Sequence, residues 1–272
     1  MNDNLNDLIT ENLEKKKPLE LEIEKTKFSQ FLKIISSLSK ECVDVVIKDN
    51  KISQRNNSKS AFFCVSLDSI FDKPVDLLMS RIDKKVELLS SFKNQKVDVK
   101  FITDYDDKKE IKSYTFKDDY SKLVFINPLE EHLNNKYIKE SELKNKLLNI
   151  DESGSIFEHE ISKFLIERIY SISKGLDVNS IDLEFKNGKA EFKMSSSENK
   201  SNVATGTIIT IDNLNRDLTG LCSFRIQPFL MLTECKVACY LRQNQEVLFL
   251  KLESEIENIP IVIWLISSIE KG

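Results

Sequence analysis

Residues 168–192 have the sequence RIYSISKGLDVNSIDLEFKNGKAEF, which predicts a basic helix followed by a β-hairpin. The strands IDLEF and KAEFKM flank Asn187-Gly188, and this dipeptide is a strong signal for a two-residue hairpin turn. The helix is expected to bury one apolar face. The predicted helix begins before residue 168. Five apolar residues at helical spacing form its buried face: Ile161, Phe164, Leu165, Ile169 and Ile172.

The same local pattern occurs near the N-terminus, so the chain contains an internal repeat. SLSK (37–40) and VDVVIKDNK (43–51) match SISK (171–174) and IDLEFKNGK (181–189) in the same order. Residues 27–40 have apolar side chains at helical spacing, and two strands are predicted around the Lys-Asp-Asn turn that follows. The repeat therefore predicts two similar halves.

Two further helix-and-strand units lie between and after these segments. Residues 81–92 predict a helix, followed by the alternating strand VDVKFI. Residues 227–234 predict a short helix with Pro228 in its first turn, followed by a strand pair around Gln243-Asn244. These units predict an α+β fold of two similar domains, each with two helices packed on antiparallel sheets.

The polar stretches give the expected domain boundaries. Residues 127–155 are charged and show no strand pattern, and a stretch of that length predicts an interdomain connector. Residues 1–17 are expected to form a disordered tail. The N-terminal domain is then predicted at 18–126 and the C-terminal domain at 156–272.

The charge is unevenly distributed along the chain. The formal net charge is −4, which argues against a uniformly basic nucleic-acid-binding protein. The four predicted helical segments nevertheless contain more basic than acidic residues, and residues 25–40 contain four lysines and no acid. Lysine and serine side chains opposite the apolar stripes favour contact with phosphates over base recognition. The candidate residues are Lys27, Lys33, Lys40, Arg81, Lys84, Lys85, Lys93, Lys163, Arg168, Lys174, Arg225 and Lys236.

Catalytic and targeting signals are missing from the sequence. No P-loop, GxGxxG, GxSxG or HExxH motif occurs, and the two histidines lie far from the five cysteines. We therefore expect no enzyme activity, no metal and no cofactor, and reduced, buried thiols. The N-terminus has no apolar signal region, and the apolar run 259–269 is about half as long as a membrane helix. An intracellular, soluble protein is expected.

Several of these segments follow the order found in a known family. Residues 168–192, 205–211, 224–241 and 248–265 resemble the bacteriophage T4-type DNA polymerase sliding clamp, and more distantly proliferating cell nuclear antigen. FSQFLKIISSLSK, FCVSLDSIFD and SKLVFINP match the first half more weakly. The resemblance covers about residues 20–270. The long N-terminal segment, the longer connector and Glu167 depart from the family pattern.

The resemblance implies a DNA-clamp fold that closes into a ring on oligomerisation. Three two-domain chains would form the ring, helices would line the hole, and edge strands would pair between subunits. The implied subunit interface contains Tyr120, Leu123, Phe125, Val203, Thr205, Thr207 and Ile209. The implied partner-peptide pocket contains Phe125, Pro128, Leu129, Ile261 and Leu265.

The same resemblance implies the partners. They would be double-stranded DNA without sequence specificity, a DNA polymerase, an ATP-dependent clamp loader and two further copies of the chain, in the cytoplasm of a phage-infected bacterium. A role in late transcription stays open. Two other functions remain: a clamp-fold scaffold that binds proteins without encircling DNA, and a metal-dependent nucleic-acid enzyme that uses the acidic clusters.

Overall fold

The computed structural model describes residues 18–105, 111–127, 137–138, 142–143, 148–150, 154–196, 205–243 and 246–270. In chain order its helices and strands are β1 (Glu20–Ile23), α1 (Lys25–Leu38), β2 (Val45–Lys48), β3 (Lys51–Arg55), β4 (Ala61–Ser66), β5 (Leu77–Met79), α2 (Ile82–Lys93), β6 (Val99–Tyr105), β7 (Ile111–Lys117), β8 (Lys122–Ile126), β9 (Phe157–Ile161), α3 (Lys163–Leu176), β10 (Ser180–Lys186), β11 (Lys189–Ser195), β12 (Thr205–Ile211), β13 (Gly220–Arg225), α4 (Gln227–Leu230), β14 (Cys235–Leu241), β15 (Val247–Ile256) and β16 (Ile259–Ser268).

The described residues belong to two compact units. Unit 1 contains the described residues of the ranges 1–39, 43–51 and 67–137. Unit 2 contains those of the ranges 40–42, 52–66 and 138–272. Unit 2 therefore includes β4, which the sequence assigns to the N-terminal domain. The boundaries 18–126, 127–155 and 156–272, and the tail at 1–17, stay a prediction.

Unit 1 is built around aromatic side chains. Its antiparallel sheet has the strand order β1–β6–β7–β8. Helices α1 and α2 pack against each other, with the Phe28 ring centroid 6.2 Å from that of Phe92. The Phe28 ring also lies 5.7 Å from Phe116 on β7, so helix and sheet share one core. Both helices predicted in this half are confirmed.

Unit 2 contains two antiparallel arrangements of strands. One sheet has the order β12–β11–β10–β13, and in the other β3, β4, β16, β15, β14 and β9 are consecutive. Asn187 and Gly188 join β10 to β11 with φ values of 55° and 73°. Two consecutive positive φ angles are those of a type I′ turn, which suits the twist of the paired strands. The predicted hairpin is confirmed.

Helix α3 has a different buried face from the predicted one. Its buried residues are Ile166, Ile169 and Ser173, whereas Phe164 is 68% exposed. Ile161, which the sequence places on this helix, ends strand β9. Phe164 points about 100° away from Leu165, so a stricter helical projection would have separated it from the stripe.

The fourth predicted helix is shorter than expected. It covers Gln227–Leu230, and the chain enters β14 at Cys235. The apolar run 259–269 contains the whole of β16. Within the described residues, no helix is long and apolar enough to cross a membrane.

The described connector residues from 138 onward belong to unit 2. Leu143 and Leu148 are at most 1% exposed and form a cluster with Phe62, Phe249 and Trp264. Backbone hydrogen bonds help to fix this segment, including one from the amide of Gln243 to the carbonyl of Asn149. This part of the connector therefore covers an apolar face of the sheet.

Candidate functional site

Most of the predicted basic residues lie on exposed positions of helices or at helix ends. Lys33, Lys84, Lys93, Lys163, Arg168 and Lys174 are exposed on helices α1, α2 and α3. Lys40 follows α1 and is exposed, and Arg81 caps the N-terminus of α2 in a left-handed conformation. The apolar stripes turn inward and leave these charges in solvent.

Among the candidate basic residues, Lys27 and Lys85 contact other side chains of unit 1. The ammonium of Lys27 donates to Asp72 Oδ1 at 2.9 Å. Lys85 is only 8% exposed, and its Nζ lies 5.1 Å from the ring centroid of Tyr114 and 5.4 Å from that of Phe125. Burial lowers the pKa of Lys85 to about 8, although Asp44 opposes that change. Its buried amine does not contribute to an exposed basic surface in this unit.

Arg225 and Lys236 were counted with the fourth predicted helical segment, taken as 225–236, and the structure places both on strands. Arg225 ends β13, and Lys236 lies on β14, where its Nζ forms an ion pair with Glu158 at 2.6 Å. The helix between them covers only Gln227–Leu230, so it includes neither residue. Lys236 is exposed on a sheet rather than on a helical surface.

Arg225 belongs to a partly buried polar network. Its guanidinium lies 3.3 Å from Glu41 Oε1, and the Glu41 side chain is 0% exposed. Asn56 Nδ2 donates to Glu41 Oε2 at 2.6 Å, and Arg225 also donates to Ser58 Oγ at 3.1 Å. A buried carboxylate needs such partners, so Arg225 has a structural role. No local pattern marks this network, because its members are far apart in the chain.

A groove of about 340 Å³ lies beside helices α3 and α4 in unit 2. It is lined by Lys40, Ile166, Glu167, Tyr170, Gln227 and Leu230. Tyr170 is 45% exposed, and the ammonium of Lys174 lies 4.5 Å from its ring centroid. The helical projection that leaves Lys163 and Lys174 in solvent also leaves Tyr170 there, but it does not reveal the groove.

Two of the predicted interface strands are edge strands. Strand β8 ends the sheet of unit 1, and β12 ends the four-stranded sheet of unit 2. On or before β8, Tyr120 is 79% and Ile126 75% exposed, while Leu123 is half-buried and Phe125 is buried.

Strand β12 has the same edge position in its own sheet. It begins at Thr205, Thr207 is exposed and Ile209 is buried, and Val203 lies outside the described residues. A register shift between Phe192 and Lys193 of β11 marks a bulge in the pairing with β12. Both strands can offer unpaired backbone groups to another chain.

The predicted peptide pocket includes residues that are closed to solvent. Ile261 and Leu265 are each 1% exposed, and Phe125 packs on Tyr114 with ring centroids 5.3 Å apart. Pro128 and Leu129 lie outside the described residues. The alternate residues of β16, including Trp264, form the face that contacts the connector. The predicted pocket residues Ile261 and Leu265 lie on the opposite face of the strand.

The described residues carry little of the chemistry that catalysis requires. They contain no group of three or more His, Cys, Asp or Glu side chains that could hold a metal ion. None of the five cysteines, all of which lie in the described part of the chain, forms a disulfide; four are buried, whereas Cys64 is half-buried. Burial raises the pKa of Cys235 to about 12, which keeps that thiol protonated and unreactive. Asp118 accepts hydrogen bonds from the amides of Tyr120 and Ser121, so it stabilises a turn.

The arrangement of helices and antiparallel sheets in the two units defines the class: this is an α+β DNA-clamp fold. The chain is similar to the PCNA2–PCNA3 complex of Sulfolobus tokodaii, with 13% identity over 92% of this chain and 99% of that chain and a TM-score of 0.54. It is also similar to proliferating cellular nuclear antigen from Entamoeba histolytica, with 12% identity, coverage of 93% and 99%, and a TM-score of 0.54.

PCNA from Thermococcus kodakaraensis gives a comparable result, with 12% identity, coverage of 91% and 99%, and a TM-score of 0.55. No protein-family model and no curated protein sequence matches the chain. At this identity the likeness shows the fold alone.

Proposed function

We propose that the protein is a sliding clamp that encircles duplex DNA and tethers a replicative polymerase, without catalysing a reaction itself. The observation that carries the proposal is the clamp fold, which extends over 91–93% of the chain. A topological tether requires a closed shape and a partner surface, and it requires no catalytic group. The absence of motif-based chemistry in the sequence is compatible with that role.

Ring closure would use the two edge strands. The exposed apolar residues Val124 and Ile126 of β8 would be covered when β8 pairs with β12 of the next chain. That pairing would also satisfy the free backbone groups of both edges. Because each chain supplies two clamp domains, we propose a homotrimer, and three chains would close six domains into a ring.

The exposed lysines of helices α1, α2 and α3 would contact DNA phosphates. Such contacts carry no sequence information, so they permit movement along the duplex. Affinity for open DNA would be weak, since threading through the ring provides retention. Lys85 and Arg225 are excluded from this role by the contacts that they make.

The partners would be a DNA polymerase and an ATP-dependent loader from the same replication system. In a T4-type bacteriophage, the location would be the cytoplasm of the infected bacterium, and late transcription is a further role open to such a clamp. Partner peptides would bind beside the connector. Because Ile261 and Leu265 are buried, the half-buried Val262 and Ile266 are the better candidates on β16.

Sedimentation at micromolar concentration tests ring formation. We expect a mass of about three times 31.5 kDa for the native chain. The substitution Ile126→Lys places a charge on the edge of β8 and should shift the protein toward monomers. Leu88→Lys is the matched control, because Leu88 is also an exposed apolar residue, at 52%, but lies on α2. It should leave the mass unchanged.

Retention on DNA tests encirclement. The loaded clamp should stay on closed circular duplex through a high-salt wash and should slide off after the circle is cut. A folded native chain that stays monomeric would contradict the ring and favour the scaffold function. Mg²⁺-dependent cleavage of DNA would favour the nucleic-acid enzyme instead.

A further inference from the structure

The groove beside α3 and α4 combines features that a phosphate-contacting helix does not need. Ile166 and Leu230 provide apolar contacts, Tyr170 exposes part of an aromatic ring, and Gln227 supplies an amide. Its volume of about 340 Å³ lies at the lower end of the range for small-ligand sites, about 300–1,000 Å³. The groove is therefore large enough for one flat group of nucleobase size.

Charges around the groove favour an anion. Lys40 lines it, and the ammonium of Lys174 lies over the Tyr170 ring. Glu167 is the acidic member of the lining, and Lys163 lies 4.0 Å from its carboxylate and offsets it in part. Two lysines thus remain to attract negative charge beside an aromatic and apolar surface.

A second exposed aromatic residue lies on the same helix. Phe164 is 68% exposed and follows the exposed Lys163. Contact with phosphates alone gives no reason for aromatic side chains in solvent, whereas unpaired bases stack on them. In duplex DNA the base faces are already stacked on each other, so they are not available to Tyr170.

We propose that this groove is a binding site for single-stranded DNA, in which Tyr170 stacks on an unpaired base and Lys40 and Lys174 bind the adjacent phosphates. Gln227 also lines the groove, and its amide would bond the edge of that base. The site goes beyond the proposed clamp function and does not require a closed ring. It would give the clamp surface an affinity for unpaired strands that a phosphate-only surface lacks.

Fluorescence anisotropy with a labelled oligothymidylate of about 12 nucleotides tests the site, since single-strand sites typically span about 4–16 nucleotides. Tyr170→Ala should weaken binding by about 5- to 100-fold, as expected for the loss of one stacked base. Tyr170→Phe keeps the ring and should retain the affinity. Tyr170→Leu keeps an apolar side chain without the flat ring and should lose as much as Tyr170→Ala. Leu88→Ala removes an exposed apolar residue from α2 and should have no effect.

The proposal is overturned if both Tyr170→Ala and Tyr170→Leu bind within twofold of the native protein, or if a duplex of equal length competes as well as the single strand. A groove that is covered by a protein segment instead would give no single-strand binding that depends on Tyr170. Retention on circular duplex is measured on the same proteins. Single-strand binding without retention would contradict the clamp function alone, and retention without dependence on Tyr170 would contradict this site alone.

Discussion

Helices α1 and α3 occupy matching positions in the repeat, but their side chains are distributed differently. Helix α1 buries six residues, including Phe28 and Phe31, and its phenylalanines pack against other aromatic rings of unit 1. Helix α3 buries three residues and exposes Phe164 and Tyr170. One copy of the repeat therefore uses its aromatic residues for the core, and the other leaves two of them available on the surface.

Equivalent truncations on the two helices should have very different effects. Phe28→Ala removes a fully buried ring and should lower the free energy of unfolding by about 3–5 kcal/mol. Phe164→Ala removes a ring that is already in solvent and should change stability by about 0.5 kcal/mol or less. Urea unfolding of both variants measures the difference. A large loss for Phe164→Ala would mean that its ring packs in solution.

The same contrast can be tested with two arginines of unit 2. Arg225→Ala leaves the buried Glu41 carboxylate without its cation and should cost about 3 kcal/mol, the low end of the range for a buried pair, because Arg225 is itself half exposed. Arg168→Ala, on the exposed face of α3, should change stability by about 0.5 kcal/mol or less. Thermal unfolding gives both values. Equal effects would show that the Glu41 contact does not stabilise the unit.

The neighbouring lysines Lys84 and Lys85 of α2 give the smallest expected difference in stability, and this difference depends on pH. The pKa of Lys85 is about 8 in the folded protein, against an ordinary value of 10.5. Between these values the unfolded chain holds a proton that the folded chain has lost, so stability should rise as the pH increases from about 8 to 10.5.

Replacing the buried amine removes this dependence. Lys85→Met should stabilise the protein by roughly 1–3 kcal/mol at pH 7, and its advantage should shrink as the pH rises through the window above. Lys84→Met, at an exposed position, should have the same stability as the native protein at both pH values. Denaturant midpoints at pH 7 and 9.5 measure the effect. A less stable Lys85→Met at both pH values would mean that the contacts with Tyr114 and Phe125 outweigh the cost of burial.

Local patterns predicted the elements well where a single physical rule dominates. The Asn187-Gly188 turn was identified because few residue pairs accept two positive φ angles, and α1 and α2 were identified by their apolar periodicity. The segment 205–211, which the resemblance singled out, forms strand β12 with the same bounds. The burial of Phe164 and the exposed face of β16 were predicted wrongly. Periodicity identifies an apolar stripe more reliably than it identifies the edge of that stripe or the face that a strand turns to the core.

The candidate site could be predicted only in part. Exposed lysines such as Lys33 and Lys163 follow from the helical projection, since a charged side chain opposite an apolar stripe has to remain in solvent. The burial of Lys85 against two aromatic rings does not follow from it, because those rings come from strands distant in sequence. The Arg225–Glu41 pair joins residues 184 positions apart, and no local pattern marks such a contact.

The repeat, the turns, the class of fold and the basic character of the helices follow from the amino-acid sequence, because each depends on neighbouring residues and on spacing along the chain. Folding in three dimensions sets which of the basic side chains stay in solvent, which strands end their sheets, and that Tyr170 borders a groove. Those properties depend on what packs against a residue from elsewhere in the chain, and burial is set by that packing rather than by the type of residue.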